Sequence, residues 1–366
     1  MTDSLSQKSS TLARELITHK PRVFLQNSWY YAAHSEQLKT CKTLKKTICG
    51  EEILIGRDKD GHVFALNNIC PHQGMPLHHG KFDGQEVTCC FHGWRFDTKG
   101  ICKAIPALVE GQGFDIEKIK TRSYPCQESQ RNIWVFIGDR TDHLPEVPQV
   151  PGIDGYAYVN VGRNVLQLPS FIDISIIGLM DPAHVPFVHT SWWFSSSKRI
   201  HDKVKTFVPF DNGYAMLRHK PSKNATVYKL VGWALETEIR FQLPGIRIEH
   251  ITLGKHTLFT GFTALTPVDE TSTEINHSTY WVTPWMTPFK PIIRYFCHTF
   301  LSQDVHFAKL QQEGLNTNSK NLIMNIPDSG VPVKWYHQLK EEWTRAAEEG
   351  RPFKNPLKPT TLRWRS

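Results

Sequence analysis

Two short motifs place a cysteine beside a histidine in the first third of the chain. Cys70-Pro71-His72 is followed, after sixteen further residues, by Cys89-Cys90-Phe91-His92. Two thiolates and two imidazoles can hold a [2Fe-2S] cluster with the cysteines on one iron and the histidines on the other, which raises the reduction potential above that of an all-cysteine cluster. The spacing therefore indicates a protein that transfers electrons.

Zinc is the alternative occupant of these four side chains, because two cysteines and two histidines are also a common zinc ligand set. Zinc sites usually pair cysteine with cysteine over C-x2-4-C and histidine with histidine over H-x3-5-H. In this chain each half-site mixes one cysteine with one histidine. The mixture favours an iron–sulfur cluster and leaves zinc as the alternative.

A second constellation follows in the middle of the chain, as Asp181-x-x-His184-x-x-x-x-His189. On a straight helix the two histidines would lie about 140° apart, too far around the axis to share a metal. Pro186 lacks the N–H that the helical ladder needs, and we expect the helix to break there so that His189 can approach His184. Two imidazoles and one carboxylate that leave one face open are the ligand set of mononuclear iron that activates O2.

The cysteine–histidine motifs resemble those of the Rieske proteins, and among them the oxygenase type. Met75 and Phe91 stand where high-potential respiratory Rieske proteins carry an additional disulfide, so the resemblance is to the lower-potential class. Cys90 is a departure, because the family commonly has proline at that position. On an extended strand it would point away from Cys89, and we expect it to pack rather than to bind the cluster.

The stretch from Asp181 to His189 resembles the catalytic-iron motif of the Rieske non-haem iron oxygenases, and the resemblance extends from Trp29 to Ser366. In that family the third iron ligand ends a downstream Phe-x-x-x-Asp pattern, which Phe300-Leu301-Ser302-Gln303-Asp304 matches, with Asp328 as the alternative. The resemblance implies two cofactors and their ligands: a [2Fe-2S] cluster on Cys70, His72, Cys89 and His92, and a mononuclear non-haem Fe(II) on His184, His189 and Asp304.

By the same resemblance, Asp181 matches the aspartate that links the cluster of one subunit to the iron of the next. It would join His184 to His92 of the partner subunit. A buried carboxylate between two imidazoles orients both rings and offers a short path for electrons. A simple helix cap is the other interpretation of Asp181. Ile177 and Gly178 depart from the acidic residue and the asparagine that relatives often have just upstream.

The elements around these motifs indicate an α+β protein of two domains. Short β-like runs separated by Asp-Gly and Lys-Gly turns predict a small antiparallel β domain, and three prolines between 145 and 151 mark a linker. Longer β-rich stretches and late helices follow, which predict a curved sheet packed on helices. The resemblance implies a Rieske [2Fe-2S] domain at 27–145 and a catalytic domain of helix-grip, START-like fold at 152–366. The predicted later elements are helices at 172–183, 294–315 and 333–348, and strands at 204–220, 226–242, 246–253, 256–267 and 272–282.

Composition narrows the class of protein. The chain has 366 residues, 40% of them hydrophobic and 11% aromatic, which indicates a globular protein. Its net charge of +8 is not arranged as a basic stripe with interleaved aromatics, so no nucleic-acid partner is expected. No apolar run is long enough to span a membrane, and the N-terminal arm, residues 1–26, is not a secretory signal. Eight cysteines in a chain of this length suit a reducing cytoplasm.

No Gly-x-Gly-x-x-Gly fingerprint is present, so we expect electrons to come from another protein. The resemblance implies a ferredoxin or an NAD(P)H-dependent reductase as donor, a homotrimeric assembly, and O2-dependent hydroxylation or oxidative demethylation of an aromatic or cyclic small molecule. Two alternatives are a Rieske electron carrier without oxygenase activity and a zinc-bearing small-molecule-binding protein. Pocket walls are expected from Phe187 and the strands between 204 and 282, and either packing or a cavity wall from Trp192 and Trp193.

Overall fold

Antiparallel β-sheets form the framework of the chain in a computed structural model that describes residues 22–153, 160–191, 200–220, 235–254, 256–317 and 326–366. The chain divides into two compact units. One consists of Gln26–Gln149, and the other joins the N-terminal segment up to Leu25 with Val150–Ser366. Most of the N-terminal arm and the pair Trp192 and Trp193 lie outside the described residues.

The smaller unit, 26–149, contains three antiparallel sheets, with strand orders β1-β11-β10, β2-β3-β4-β9 and β5-β6-β7-β8. Three 3-10 turns, Ser35–Gln37, Leu77–His79 and Ile116–Lys118, join them. The strands are β1 (Ser28–His34), β2 (Lys42–Ile48), β3 (Glu51–Arg57), β4 (Val63–Asn67), β5 (Lys81–Phe82), β6 (Glu86–Thr88), β7 (Arg95–Asp97), β8 (Cys102–Ala104), β9 (Ser123–Tyr124), β10 (Cys126–Ser129) and β11 (Asn132–Ile137).

Aspartates hold the tight turns between these strands. Asp58 Oδ1 accepts hydrogen bonds from the backbone N–H groups of Asp60 and His62, at 2.9 and 2.8 Å. Asp83 and Asp97 make the same kind of local bonds at the next two turns. An aspartate that bonds to its own following backbone stabilises a turn without help from the rest of the fold. The predicted turn positions at 60–61, 83–84 and 99–100 are therefore confirmed.

The larger unit is built on one eight-stranded antiparallel sheet of order β12-β18-β17-β16-β15-β14-β13-β19. Neighbouring strands are mostly adjacent in sequence, except that β12 lies beside β18 and the C-terminal β19 beside β13. The strands are β12 (Asn160–Leu168), β13 (Asp202–Phe210), β14 (Gly213–His219), β15 (Leu235–Gln242), β16 (Ile246–Leu253), β17 (His256–Pro267), β18 (Thr273–Trp281) and β19 (Thr360–Arg365).

Helices pack on one face of this sheet, which we call the inner face. They are α1 (Ile172–Met180), the single turn α2 (Val185–Val188), α3 (Lys290–Thr317), which continues from a 3-10 turn at Pro284–Phe289, and α4 (Val331–Glu348). Trp335 of α4 packs edge-on against Phe207 and Tyr214 of the sheet, with ring centroids 5.5 and 5.1 Å apart. Lys340 of α4 pairs with Asp173 of α1 at 2.7 Å. The inner face is thereby buried by helices, as the α+β prediction requires.

Three predicted elements differ from the observed ones. The predicted strand at 204–220 is two strands, because Asp211 adopts φ 30° and turns the chain between β13 and β14. The predicted helix at 172–183 ends at Met180, since Asp181 precedes a proline and is extended, with φ −66° and ψ 116°. The helix predicted from 294 begins earlier, at Lys290. Within the described residues, no helix is both long and apolar enough to cross a membrane.

Truncation of the α4 core contact should test this packing. Leu339 is fully buried in the cluster that joins α1, α4 and the sheet. We expect Leu339→Ala to lower the free energy of unfolding by about 2–5 kcal/mol, because the cavity it leaves can only partly collapse. The exposed neighbour Gln338 provides a matched control, and Gln338→Ala should change it by less than about 0.5 kcal/mol. Thermal unfolding followed by circular dichroism measures both, and equal stability of the two variants would contradict this packing.

Candidate metal centres

The two cysteine–histidine motifs form a pair of equivalent loops at strand ends. In the first loop, Cys70 N donates to Met75 O at 2.8 Å, and Gly74 N donates to Cys70 O at 3.0 Å. The second loop repeats both bonds one motif later, from Cys89 N to Trp94 O at 2.8 Å and from Gly93 N to Cys89 O at 3.1 Å. In each loop the backbone of the cysteine is thus bonded to residues four and five positions later, and the histidine lies within the closed loop.

A glycine makes each closure possible. Gly74 and Gly93 have φ values of 77° and 70°, in the left-handed region that side-chain-bearing residues rarely adopt. Each stands four residues after the cysteine of its loop. The glycine reverses the backbone, so that cysteine and histidine of one motif can point toward the same place. Both positions therefore require glycine for a physical reason, the positive φ at the loop closure.

Burial separates the two ligand types of the loops. Cys70 and Cys89 are buried, with 2% and 3% of their surface exposed, whereas His72 and His92 are exposed. The rings of the two histidines lie 4.5 Å apart between centroids. Burial, together with the neighbouring Cys89, raises the pKa of the Cys70 thiol to about 11. A pair of buried sulfurs backed by a pair of edge imidazoles fits a two-iron cluster, which would hold both sulfurs as thiolates.

Two aromatic contacts around the histidines were not predicted. The imidazole of His72 stacks on the indole of Trp94, with centroids 4.4 Å apart and an interplanar angle of 9°. Phe91 lies beside His92 at 3.9 Å and is itself 53% exposed. The Trp94 stack fixes the orientation of one candidate ligand. The position of Trp94, directly after Gly93, was the available signal in the sequence.

The expectation that Cys90 packs inside the domain is wrong. Strand β6 ends at Thr88, so Cys89 and Cys90 lie in the turn that follows and do not alternate as strand residues do. Cys90 is exposed, whereas Cys89 is buried. All eight cysteines of the chain lie within the described residues, and all are free thiols. Cys90 remains outside the ligand pair, but on the surface.

The two histidines of the second motif flank a single helical turn. Chain direction changes at Asp181-Pro182, where α1 has ended, and α2 then occupies only the four residues between His184 and His189. Pro186 lies in the first turn of α2, where a missing N–H costs no helical bond. The predicted break at Pro186 is therefore wrong: the break is at Pro182. The predicted approach of His184 to His189 is observed, with ring centroids 5.3 Å apart.

Asp304 on helix α3 completes a group of three. Its Oδ1 lies 3.3 Å from His189 Nε2 and 3.8 Å from His184 Nε2. One candidate ligand atom from each of the three side chains lies within 4.8 Å of the others. Asp328, the alternative third ligand, instead accepts a hydrogen bond from the backbone N–H of Arg363 at 2.9 Å, at the start of α4. The geometry brings Asp304, not Asp328, to the histidines.

Burial works against charge at this group. It lowers the pKa of His189 to about 3 and lowers that of His184, and it raises the pKa of Asp304 to about 7. His189 is 1% exposed. A divalent cation would supply the positive charge that two neutral imidazoles and a carboxylate lack, so the burial of these donors fits a metal site. Arg247 of β16 is the nearby positive charge that lowers the pKa of all three.

A glutamine that the sequence analysis passed over holds His189 from behind. Gln303 Oε1 lies 3.2 Å from His189 Nδ1, and Gln303 Nε2 donates to Ser191 Oγ at 2.9 Å. With Nδ1–H donating to the amide oxygen, Nε2 is left as the acceptor atom that faces Asp304. The ring of Phe300, one turn earlier on α3, stacks on His189 at 3.6 Å. The position of Gln303, directly before Asp304, was the only signal in the sequence.

Asp181 lies beside His184 without a hydrogen bond to its ring. Its Oδ1 accepts the backbone N–H of Ala183 at 2.8 Å, which is a local turn contact. Its negative charge opposes the lowering of the His184 pKa by burial. In the described part of the chain, His184 Nδ1 is buried without a hydrogen-bond partner. The charge and the backbone of Asp181 both raise the pKa of His184, so Asp181 is placed to orient the ring.

Serine substitutions at the adjacent cysteines should separate their roles. We expect Cys89→Ser to remove the visible and EPR signals of the cluster, because it removes one buried thiolate ligand. Cys90→Ser should leave both signals unchanged, since Cys90 is exposed and points outside the ligand pair. Spectra of anaerobically purified variants measure the difference. Loss of the signals in both variants would assign a cluster role to Cys90 as well.

Substitutions at Gln303 should change metal affinity without touching a ligand. We expect Gln303→Ala to weaken Co(II) binding to the three-residue group about 10- to 100-fold, because His189 loses the acceptor that orients it. Gln303→Glu, which keeps an acceptor oxygen, should retain tight binding. Ser302→Ala on the same helix is the control, since Ser302 contacts only His298 among the described residues. Titration by the visible Co(II) spectrum measures all three, and equal affinity of the alanine variants would exclude the orienting contact.

Comparison with known protein families matches both units. A family model described as the Rieske [2Fe-2S] domain matches residues 28–125. A second model, the vanillate O-demethylase oxygenase C-terminal domain, matches residues 178–340. The two matches include both loops of the first motif and all three side chains of the second. The predicted fold, a Rieske β domain followed by a sheet-rich catalytic domain, is confirmed.

Individual relatives agree with the models. The chain is 37% identical over 124 residues to a toluene-4-sulfonate monooxygenase system iron-sulfur subunit of Comamonas testosteroni, covering 34% of this chain and 35% of the relative. It is 30% identical over 209 residues to chlorophyllide a oxygenase of Arabidopsis thaliana, covering 56% of this chain and 37% of the relative. The match thus spans little more than a third of either relative.

A solved structure shares the fold along nearly the whole chain. The crystal structure of dicamba monooxygenase bound to dicamba superposes with a TM-score of 0.74 at 21% sequence identity, covering 90% of this chain and 99% of the other. Likeness at this identity shows the fold. With both domain models in their order along the sequence, the chain belongs to the Rieske non-haem iron oxygenases, whose cofactors are a [2Fe-2S] cluster and a mononuclear non-haem iron.

Proposed function

We propose that this protein is an oxygenase that uses O2 and externally supplied electrons to hydroxylate or oxidatively demethylate an aromatic or cyclic small molecule. The observation that carries the proposal is the buried group of His184, His189 and Asp304, whose nitrogen and oxygen atoms converge within 4.8 Å. Two imidazoles and one carboxylate leave positions open on a bound iron for O2. An electron carrier would have no use for such a group.

The ligand assignment is part of the proposal. Cys70, His72, Cys89 and His92 hold the [2Fe-2S] cluster in a domain spanning 27–145. His184, His189 and Asp304 hold the mononuclear iron in a domain spanning 152–366. The buried thiol pair, the exposed imidazole pair and the closed loops support the first assignment. The interatomic distances and the Gln303 contact support the second.

The chemistry divides between the iron and the chain. When bound, the iron supplies the activation of O2; for a monooxygenation, two electrons and two protons balance the insertion of one oxygen atom and the release of the other as water. The chain positions the substrate and excludes water. His277 of β18 is fixed by the sheet: its nitrogens contact the Thr263 and Thr279 hydroxyls at 2.9 and 3.2 Å, and burial lowers its pKa to about 4. The His277 imidazole is therefore held in one orientation and adds no positive charge at this position.

Electron transfer between subunits is the proposed role of Asp181, in a homotrimer. His184 Nδ1 is a buried donor without a partner in the described chain, and the Asp181 carboxylate lies close enough to influence its pKa. His92 is exposed, so another molecule can reach it. Asp181 would therefore contact His184 of its own chain and His92 of the partner subunit, and electrons would cross at that point.

The electron donor is proposed to be a ferredoxin or an NAD(P)H-dependent reductase, and the location cytoplasmic. Lys39 and Lys42 lie exposed in and before β2 of the small unit, and Lys45 is exposed but paired with Glu52. A one-sided basic surface speeds encounter with an acidic donor, and its effect falls with added salt. Among relatives, the named substrates dicamba and toluene-4-sulfonate support a ring-bearing small molecule as the substrate here.

Metal counting and one histidine variant test this function. We expect three irons per chain in the anaerobically purified protein and two in His184→Ala, which should keep the cluster spectrum and lose O2-coupled substrate turnover. His256→Ala is the control, because His256 is exposed at the start of β17. The assay follows O2 uptake and formaldehyde release with methoxyaromatic, N-methyl and polycyclic compounds. Two irons in the unmodified protein, or turnover by His184→Ala, would contradict the proposal; zinc in place of iron would favour a binding protein.

A further inference from the structure

Charge on the inner face of the large sheet is concentrated at one end of β13 and β14. Strand register places Lys205 and Lys203 on the same face as Phe207, which packs against Trp335 of α4. Side chains at every second residue of a strand share a face. Both lysines are partly buried. They extend the inner face beyond its apolar core, on the strand that pairs with the C-terminal β19.

Neither lysine has a carboxylate partner among the described residues. The carboxylate nearest in sequence belongs to Asp202, which is exposed and pairs with Arg365 instead. Burial and the charge of Lys205 lower the pKa of Lys203 to about 8, and burial lowers the pKa of Lys205. The undescribed segments on either side of these strands, 192–199 and 221–234, contain no aspartate or glutamate. Within the part of the chain that the structure describes, these two half-buried ammonium groups thus face inward without a carboxylate partner.

A β-bulge adds a histidine to the lysines. Between Met216 and His219 of β14 the pairing with β15 gains one residue, so that His219 lies opposite Thr237. The extra residue turns the His219 side chain toward the inner face and leaves Arg218, the preceding residue, on the outer face near Glu238. Burial lowers the pKa of His219, and the charges of Lys205 and Lys203 lower it further. His219 Nδ1 lies 2.8 Å from the Leu217 carbonyl oxygen, so the neutral ring has no further N–H to offer.

An unpaired hydroxyl lies beside this cluster. Thr237 is 5% exposed, and its Oγ1 has no hydrogen-bond partner among the described residues. It shares the inner face and stands opposite His219 in the register. A buried hydroxyl without a partner carries a free-energy penalty that a bound polar group would remove. The position thus offers one further hydrogen bond to whatever the cluster holds.

The other positive charge of the inner face is already balanced. Arg247 Nη2 lies 3.2 Å from Glu249 Oε2 on the same strand, and both side chains are about one-quarter exposed. Glu249 raises the pKa of His219 and so reaches the edge of the cluster, but its carboxylate is shared with Arg247. The surplus positive charge of the face therefore belongs to Lys203 and Lys205.

We propose that Lys203 and Lys205, beside the Thr237 hydroxyl, bind a carboxylate or sulfonate group of the substrate, so that the enzyme selects an elongated apolar acid over its uncharged analogue. The inference rests on the proposed function, because it assigns the far end of the same substrate. Arg247, the positive charge near the candidate iron ligands, lies on β16, two strands away from His219 on β14. In the strand register, His219 is level with Ile251, which is four residues beyond Arg247. These offsets correspond to roughly 10 Å across the strands and roughly 13 Å along them. The molecule is therefore longer than one benzene ring.

A pair of fluorescent probes tests the site on the complete, cluster-bearing protein. 8-Anilinonaphthalene-1-sulfonate and N-phenyl-1-naphthylamine have the same ring system. Of the two, the first carries an anionic sulfonate and the second is uncharged. We expect Lys203→Met combined with Lys205→Met to weaken binding of the sulfonate at least tenfold and to change binding of the neutral probe less than twofold. The corresponding double arginine variant should bind the sulfonate within threefold of the original protein, since it keeps both charges.

The control removes the same charge elsewhere in the same unit. Lys354 and Lys358 are exposed in the segment before β19, and their double methionine variant should bind both probes as the original protein does. The original protein provides a measurement that needs no variant: raising salt from about 0.05 to about 0.5 M should weaken the sulfonate only. The inference is overturned if neither salt nor the lysine substitutions change the affinity for the sulfonate. It is also overturned if both probes lose affinity equally.

Turnover separates this inference from the proposed function. The substrate pair is 6-methoxy-2-naphthaleneacetic acid and its methyl ester, followed by O2 uptake and formaldehyde. We expect the acid to have the lower KM by at least tenfold, and the double methionine variant to lose that preference while keeping its kcat. Equal KM values for acid and ester overturn the inference and leave the oxygenase intact. Lysine-dependent sulfonate binding without O2 uptake on any compound of the wider panel contradicts the oxygenase and leaves the anion site.

Discussion

The constraint on which the larger unit depends is the burial, complete or partial, of the three candidate metal-binding side chains His184, His189 and Asp304. His189 and Asp304 lie where charge is disfavoured, which lowers the pKa of one and raises that of the other. A fold tolerates such a group only when an opposite charge completes it. A cation held by three atoms within 4.8 Å satisfies all three side chains at once. Helix α3, the turn α2 and the inner face of the sheet are arranged around that requirement.

The small unit solves a different problem, which is to hold two sulfurs inside and two imidazoles at the edge. Two short loops do this with the same pair of backbone bonds, each closed by a glycine at positive φ. Because the bonds are local to each loop, the geometry of the half-sites depends little on distant packing. Exposure of His72 and His92 then follows, since each histidine lies in the middle of its loop.

Residues with strong chemical preferences were predictable from the sequence, and their supports were not. The ligand candidates stood out because cysteine and histidine in mixed pairs are rare, and the Phe-x-x-x-Asp pattern singled out Asp304. Gln303 carried no such signal, since a glutamine on a helix surface is ordinary until tertiary structure brings His189 within 3.2 Å. The break before His184 was assigned to the wrong proline, because Pro182 and Pro186 can both end a helix and only position within the turn decides. The bulge at Met216–His219 was equally invisible, as one extra residue in a strand leaves no mark in an alternating pattern.

Helix α3 contributes several contacts to the candidate metal site from residues close together in sequence. Phe300 and Gln303 contact His189, Asp304 is itself a candidate metal-binding side chain, and Cys297, one turn earlier, contacts Thr279 of the sheet at 3.4 Å. A substitution on this helix therefore disturbs metal, ligand orientation and cavity together. Strands β13 to β16 carry none of the three candidate metal-binding side chains. New substrate preferences should accordingly arise in descendants of this protein through changes on β13 to β16, while the helix stays nearly frozen, and laboratory evolution of the enzyme would do best to diversify those strands first.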